Sequence, residues 1–225
     1  MPIQLMGVIN LTPDSFSDGG QFLSVDSALK HAEELIYDGA NCLDIGAESS
    51  RPGATPISVK EEINRLSPFL KRYRSHFDCP LSLDPYKSEV AELGIENGIR
   101  WVNDISGLKL DHKMLTTIQK GKVGVIIMHM QNNPKTMQNN PTYDNLINTI
   151  YDQLHNQINQ CENANIKDII IDPGIGFGKT LNHNLKIIKQ LKKFSALNYP
   201  ILIGTSRKSF IGTITNEPVN NREAG

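Results

Sequence analysis

The sequence predicts an α/β fold of the (β/α)8-barrel type, and three features lead to that prediction. Short apolar segments alternate with amphipathic helical patterns along the 225 residues, which is typical of a parallel sheet covered by helices. Nearly every predicted strand ends in a polar side chain, as in a barrel, whereas an open sheet gathers its ligand groups at one switch point. No repeat, low-complexity tract or linker divides the chain, so we predict one domain over residues 1–225.

Seven segments are predicted as strands because they are short, apolar and bounded by polar or turn residues. In chain order they are Leu5–Ile9, Cys42–Ile45, Leu81–Leu83, Trp101–Val102, Val123–Met128, Ile169–Ile171 and Pro200–Ile203. A complete barrel has eight strands and about 250 residues. We therefore expect an incomplete barrel, with seven of the eight parallel strands present and a final helix and strand absent.

Helices are predicted between most of these strands. The first has an apolar face over residues 25–36, with Ser24 as its N-cap and Gly39 as its stop signal. The second begins at a capping box in which Ser58 is followed three residues later by Glu61. The other helical segments are Lys87–Asn97, Lys113–Gln119, Tyr143–Asn163 and Asn184–Phe194.

The composition argues against several classes of partner. Lys and Arg total 23 against 24 Asp and Glu, a net charge of -1, so no long-range field attracts nucleic acid or an acidic membrane. Three widely spaced cysteines form neither a disulfide framework nor a zinc pair. No segment resembles a signal peptide or a membrane span. We expect a cytoplasmic protein with reduced, mostly buried thiols and without nucleic-acid or membrane partners.

A long polar loop follows the first predicted strand. Asn10 at its start could offer an oxygen ligand to a hard cation. The next residues suit a mobile lid over a substrate. The lid residues are Asp14, Ser15, Phe16, Ser17 and Asp18. The alternative is a turn in which Asn10 and Asp14 form hydrogen bonds with nearby backbone. For any one of these residues the turn explains the sequence as well as a lid does, but it explains the whole loop less well.

Two further loops carry groups that bind anions. After the second strand, Ser50 and Arg51 place a hydroxyl and a planar guanidinium beside a Pro-Gly turn. After the seventh strand, Arg207, Lys208 and Ser209 run into a predicted helix start, where free N–H groups favour phosphate. The alternatives are a surface ion pair for Arg51 and a basic surface turn for Arg207.

The glycine-rich run from Asp172 to Thr180 matches neither common nucleotide motif. A Walker loop needs Gly where Pro173 stands, and the Rossmann fingerprint has a different glycine spacing. We interpret the run as a tight turn that brings the backbone close to a flat ligand, which Asp172 would bind. His129 is interpreted as a structural residue, and Trp101 as part of the core.

Five tracts in this order closely resemble the dihydropteroate synthase family, and the resemblance spans essentially the whole chain. They are Met6–Gly20, Asp44–Gly53, Asn103–Asp104, Asp172–Gly174 and Ser206–Ser209. The resemblance implies a transferase of folate biosynthesis and a target of sulfonamides. Such an enzyme condenses 6-hydroxymethyl-7,8-dihydropterin diphosphate with p-aminobenzoate, with Mg²⁺, to give 7,8-dihydropteroate and pyrophosphate.

The resemblance also implies a set of site residues. The substrate-binding residues are Ser50, Arg51, Asp84, Asn103, Asp172, Phe177, Lys208 and Ser209. Asp84, Arg51 and Lys208 are expected to be catalytic, and Asn10 is expected to hold the metal. A buried carboxylate suits the amidine-like edge of a pterin, and Asn103 suits its mixed donor and acceptor edge.

The chain departs from the family pattern at several points. Ser50 stands where the family often has Thr, and Pro85 and Tyr86 replace small hydroxyl residues. The Arg-x-His pair of the family's final strand has no counterpart among the 225 residues. The family is a homodimer built partly from terminal helices that we expect this chain to lack. Two alternatives stay open: an inactive pterin-binding remnant, and a methylfolate-dependent methyltransferase, which the Ser206–Ser209 tract fits poorly.

Overall fold

The computed structural model describes residues 3–12, 21–51 and 53–222. The predicted lid residues 14–18 lie outside these ranges. The strands of the described residues are β1 (Met6–Asn10), β2 (Cys42–Gly46), β3 (Leu81–Leu83), β4 (Trp101–Asp104), β5 (Gly124–Met128) and β6 (Ile169–Asp172). The helices are α1 (Gln21–Tyr37), α2 (Val59–His76), α3 (Ser88–Glu96), α4 (Met114–Gly121), α5 (Leu146–Asn163), α6 (Leu181–Lys189) and α7 (Ser209–Thr215), with 3-10 helices at Leu191–Leu197 and Val219–Asn221.

The six strands form one parallel sheet in the order β1-β2-β3-β4-β5-β6. Each strand pairs with the next one in sequence, and a helix lies between each consecutive pair. A doubly wound sheet reverses its strand order at a switch point, whereas a barrel keeps the sequential order. The sequential order confirms the barrel-type prediction.

The seventh predicted strand joins this sheet through a single bridge. Ile201 pairs in parallel with Ile171 of β6. The Ile171 amide donates to the Pro200 carbonyl at 2.9 Å, and the Leu202 amide donates to the Ile171 carbonyl at 2.8 Å. The segment therefore forms an isolated bridge in place of the predicted strand.

The start of the first helix differs from the prediction. The helix α1 begins at Gln21, so Ser24 lies inside it and is not the N-cap. The predicted stop is confirmed, because Gly39 follows the helix with a φ of +102° that favours glycine.

Side-chain caps explain where several helices begin. The Ser58 hydroxyl accepts the Glu61 amide at 3.2 Å and starts α2, which confirms the predicted N-cap. Oε1 of Glu61 accepts from Nε of Arg65 at 2.8 Å, so the reciprocal half of the predicted capping box is not formed. Asn145 accepts the Asn148 amide at 3.2 Å, so α5 begins at Leu146. Thr180 and His183 form a reciprocal capping box at the start of α6, which places that helix before the predicted Asn184.

A continuous buried core lies between the sheet and its helices. Strand residues such as Leu43, Leu83 and Ile171 belong to the same buried cluster as Leu66 of α2 and Ile150 of α5. No helix within the described ranges is both long and apolar enough to cross a membrane. The three cysteines are free and two of them are buried, as predicted.

A second, smaller cluster lies on the other face of the strands. It contains Cys42, Trp101 and Ile126, with Ile170 and Leu202 packed against it. Alternate residues of a strand point to the same face. Asp44, Asn103 and Asp172 each follow one of these residues by two positions, so they point to the same inner face nearer the carboxyl ends. The apolar cluster therefore forms the floor below a polar site.

The packing of this apolar floor requires glycine at position 124, because there is no space for a side chain. A Cβ there would lie 2.4 Å from Cδ1 of Trp101 and 2.8 Å from the Asp168 carbonyl oxygen. We expect Gly124→Ala to destabilise the fold by about 1–3 kcal/mol through overpacking, measured by urea denaturation. Gly46→Ala is the matched control, because its Cβ would meet its nearest neighbour, Asp84, at 3.6 Å. Equal losses in both variants would contradict the packing explanation.

Candidate active site

The inner face brings two carboxyl groups together at the ends of β2 and β3, that of Asp44, which is buried, and that of Asp84, which is half-buried. Nδ2 of Asn103 donates to Oδ2 of Asp44 at 3.0 Å, and both residues are buried. Asp84 follows β3 beside Gly46, whose hydrogen leaves that space open. Oδ1 of Asp44 and Oδ1 of Asp84 are both out of solvent and have no hydrogen-bond partner among the described residues. The pair therefore offers acceptors to a ligand that brings donors.

Burial raises the pKa of both carboxyl groups. The pKa of Asp84 lies well above its ordinary value, because burial and the nearby charges of Asp44 and Asp104 all oppose ionisation. Burial likewise raises the pKa of Asp44, while the neighbouring Ser82 hydroxyl and the bond from Asn103 oppose that rise. A cationic or donor-rich ligand would favour the charged forms.

A third carboxyl group lies across the barrel at the end of β6. Oδ1 of Asp172 accepts the Gly174 amide at 2.6 Å. Burial raises the pKa of Asp172, while the charges of Lys208 and Lys179 lower it. Nζ of Lys208 donates to the Ile175 carbonyl and lies 4.7 Å from the centre of the Phe177 ring. The structure therefore brings Asp172, Phe177 and Lys208 together, as predicted.

The glycine-rich run is a tight turn whose glycines are required by its backbone. Gly174, Gly176 and Gly178 have φ values of +71°, +87° and +63°, which other residues rarely adopt. A Cβ on Gly174 would lie 1.9 Å from the His129 carbonyl oxygen. The turn therefore packs directly on the end of β5, which explains the regular glycine spacing.

The loop after β2 is held by a buried ion network. Nζ of Lys87 contacts the Glu48 carboxylate and lies 2.7 Å from Oε2 of Glu62. The Tyr86 hydroxyl donates to Oε1 of Glu48 at 2.5 Å. This network joins the loop after β2, the loop after β3 and helix α2. It fixes the start of the segment that carries Ser50 and Arg51.

Not all predicted site residues are in contact. Ser50 is half-buried, whereas Arg51 and Ser209 are exposed. Asn10 is exposed at the end of β1 and pairs in register with Gly46. Within the described part of the chain, no carboxylate forms an ion pair with Arg51, so the surface-ion-pair alternative is not what is observed.

Several residues that shape the site were not among the predicted ones. Asp44 carried a detectable signal, since it is a charged residue inside an otherwise apolar strand. Lys87 and Lys179 carried none, because their partners are distant in sequence. His129 is buried, and its Nδ1 lies 3.0 Å from Nζ of Lys179, which agrees with the structural interpretation.

A metal site built from protein charges is not observed. No group of three or more His, Cys, Asp or Glu side chains among the described residues could hold a metal ion. The Asn10 carboxamide is a neutral oxygen donor at the rim. Mg²⁺ is commonly bound by one or two protein oxygens together with substrate phosphates. The rim therefore fits a metal that is held mainly by a diphosphate.

Comparisons with known proteins agree with this geometry. The model of the pterin binding enzyme family matches residues 6–225. A dihydropteroate synthase from Clostridium beijerinckii is 46% identical over 223 residues, covering 98% of this chain and 80% of the relative.

Solved structures give the same result. The dihydropteroate synthase from Clostridium difficile, in the presence of pteroic acid, superposes with a TM-score of 0.93 and 38% identity, covering 99% of this chain and 83% of that one. The enzyme from Xanthomonas albilineans with 4-aminobenzoic acid has a TM-score of 0.91 and 37% identity, covering 98% and 80%. The chain therefore belongs to the pterin-binding enzymes and, among them, to the dihydropteroate synthases.

Proposed function

We propose that the pocket between Asp84, Asn103 and Asp172 binds the dihydropterin of the dihydropteroate synthase reaction. The function of the chain is that of its family, a transferase that joins a dihydropterin to p-aminobenzoate. The observation that carries the proposed pocket is the pair Asp44 and Asp84, each with one oxygen that is out of solvent and without a partner among the described residues. A flat pterin presents amino and ring N–H donors that match such acceptors.

Each inner-face residue has a proposed role in holding the pterin. Asp172 accepts from the amidine-like edge, and Asn103 serves the mixed donor and acceptor edge. Lys208 donates to the ring oxygen or nitrogen, and Phe177 packs against the ring. The contact of Lys208 with Phe177 supports a shared surface for one ligand.

The reaction needs no covalent enzyme intermediate. The amine of p-aminobenzoate attacks the methylene carbon of the pterin, a C–N bond forms, and the C–O bond to the diphosphate breaks. The bonding electrons leave with pyrophosphate, and the amine loses a proton. Asp84 stabilises the positive character at the methylene carbon, while Ser50 and Arg51 bind the departing anion.

The metal and the second substrate also have proposed binding residues. Asn10 would hold Mg²⁺ together with the diphosphate, where the metal would neutralise charge on the leaving group. Ser209, at the start of α7, would bind the benzoate carboxylate. The lid role of residues 14–18, a homodimer and a cytoplasmic location remain predictions.

Replacing Asp84 tests this function. The wild-type chain should form dihydropteroate, and Asp84→Asn should lower turnover about 10²–10³-fold. Pterin affinity should change by no more than roughly tenfold, about 1.4 kcal/mol. Turnover and 6-hydroxymethylpterin binding are measured separately. Pterin binding without product formation by the wild type would favour the inactive remnant, and an unchanged rate with weakened binding would contradict the role of Asp84.

The same variant should be more stable at neutral pH. Because burial raises the pKa of folded Asp84 above its unfolded value, ionisation opposes folding as pH rises through that interval. Asn removes this penalty and should add about 1–2 kcal/mol. The gain should disappear below the unfolded pKa, where both side chains are neutral. Thermal unfolding from neutral to acid pH measures this difference.

Lys87 should be important for the anion-binding loop. Its side chain is 16% exposed, and those of Glu48 and Glu62 are 7% and 2% exposed. Lys87→Met leaves two buried carboxylates without their cation and should cost about 3–5 kcal/mol. It should also raise the KM for the pterin diphosphate more than it lowers kcat.

Lys30 provides a matched surface control for Lys87. Its ion pair with Glu34 spans 3.8 Å, and the two side chains are 77% and 58% exposed. Lys30→Met should change stability by less than about 1 kcal/mol. Similar losses in both variants, measured by urea denaturation, would refute a special role for the buried network.

The metal role of Asn10 has its own test. Asn10→Ala should raise the Mg²⁺ concentration needed for half-maximal turnover about tenfold, which corresponds to about 1.4 kcal/mol. Binding of 6-hydroxymethylpterin, which lacks the diphosphate, should stay unchanged because Asn10 is proposed to act only through the metal. An unaltered Mg²⁺ dependence would remove Asn10 from the metal site.

A further inference from the structure

Lys179 is a buried lysine to which the reaction above gives no role. It ends the glycine-rich turn and is 4% exposed. Its Nζ lies 2.8 Å from the Phe177 carbonyl oxygen, 3.2 Å from the His129 carbonyl oxygen and 3.0 Å from Nδ1 of His129. The side chain therefore joins the turn to the end of β5 through three contacts.

The three contacts fit an ammonium group facing a neutral imidazole. A protonated lysine has three N–H donors and no acceptor. Burial, together with the charges of Lys179 and Lys109, lowers the pKa of His129 to about 2. The ring is therefore neutral, and Nδ1 accepts from Lys179 in the tautomer that carries its proton on Nε2. Burial also lowers the pKa of Lys179 well below its usual range, and the charges of Lys208 and Lys109 lower it further, whereas Asp172 opposes that change. The three acceptors oppose it as well, because only the ammonium form can donate to all of them.

The turn that Lys179 holds is bonded along its length. Nε2 of Gln138 donates to the Gly176 carbonyl at 2.6 Å, and the Tyr143 hydroxyl donates to the Gly178 carbonyl at 2.7 Å. Lys208 donates to the Ile175 carbonyl. Of these side-chain donors, Lys179 is the one that lies within the turn, and its side chain is almost completely buried.

The charge of Lys179 also acts on Asp172. The cations that face this carboxyl group are Lys208, from the segment after Ile201, and Lys179, from the turn. The groups that face Lys179 are Asp172, His129, Lys208, Lys109 and His183 of α6. Lys109 is not among the charges that act on Asp172. Lys179 and Lys208 therefore both stabilise the negative charge of the buried Asp172.

We propose that Lys179 is a positioning residue for the pterin: its buried ammonium fixes the turn that carries Phe177 and holds Asp172 as a carboxylate for the ligand. This role rests on the proposed function, because it assumes that Asp172 binds the pterin in its charged form. Lys179 itself does not touch the ligand. It acts through the turn and through Asp172.

The pH dependence of pterin binding separates this role from a purely structural one. Lys179→Met should move the acid limb of 6-hydroxymethylpterin binding upward by about one pH unit, since loss of one nearby cation raises the pKa of a carboxyl group by about 1–3 units. Binding should approach the wild-type value at the alkaline end. In turnover assays, the KM for the pterin diphosphate should rise more than kcat falls.

Lys109→Met is the matched control. Nζ of Lys109 donates to the Met130 carbonyl at 2.8 Å and to Oε1 of Gln153 at 3.3 Å. This variant also removes a partly buried cation that ties down a loop, so it should lower stability but leave the acid limb in place. If Lys179→Met does not fold, Lys179→Gln keeps a donor, removes the charge and should shift the limb in the same direction.

The outcomes distinguish this inference from the proposed function. A wild-type chain that binds no pterin would overturn the proposed function. If the wild type binds, an unshifted acid limb in a folded Lys179 variant would overturn the present inference alone. A shift of equal size in Lys109→Met would overturn it too, because the shift would then follow the loss of any nearby lysine and not the loss of Lys179 in particular. Asp172→Asn should weaken binding and abolish the acid limb, and a limb that persists there would show that Asp172 is not the group being held.

Discussion

The carboxyl groups of Asp44, which is buried, and Asp84, which is half-buried, lie on the inner face with fewer donors than they have acceptor oxygens. Each keeps one oxygen without a hydrogen-bond partner among the described residues, although such groups usually find partners when they are buried. Their position follows from the sequential parallel strand order, which brings all the carboxyl ends to one rim. The surrounding loops can be understood as the structure that keeps these acceptors in place until a donor-rich ligand arrives.

The rim around these acceptors has an uneven distribution of charge. On the side of β2 and β3, one cation, Lys87, serves the two carboxylates of Glu48 and Glu62. On the side of β6, two cations, Lys179 and Lys208, face the single carboxylate of Asp172. A ligand that carries donors at one end and acceptors at the other therefore meets a field that favours one orientation. Both clusters also anchor loops, so orientation and rigidity come from the same contacts.

Much of the fold could be predicted from the sequence, because the signals that determine it are local. Apolar segments gave the strands, and Ser58 and Gly39 marked helix ends through their own chemistry. The prediction of Ser24 as an N-cap was wrong, because a serine that precedes an apolar face can also lie inside a helix that begins earlier. The segment around Ile201 has strand composition but forms only a bridge, since pairing depends on neighbours that composition does not reveal.

Part of the candidate site could likewise be predicted from local signals, and part could not. Asp84, Asn103 and Asp172 could be placed on one rim because parallel strands bring their ends together. The raised pKa values of Asp84 and Asp172 could not be predicted, since burial and neighbouring charges are properties of the packed barrel. Lys179 and Lys87 were missed because their partners, such as His129 and Glu62, become neighbours only through long-range packing. Ser50, Arg51 and Ser209 lie on the rim loops, and their part in binding remains proposed.

The buried acids also link the folding of the chain to the binding of its ligand. Burial opposes the ionisation of Asp44 and Asp84, so each charged carboxylate lowers the free energy of unfolding. A ligand that binds the charged forms offsets this loss by mass action. The same two carboxyl groups therefore weaken the empty fold and stabilise the occupied one.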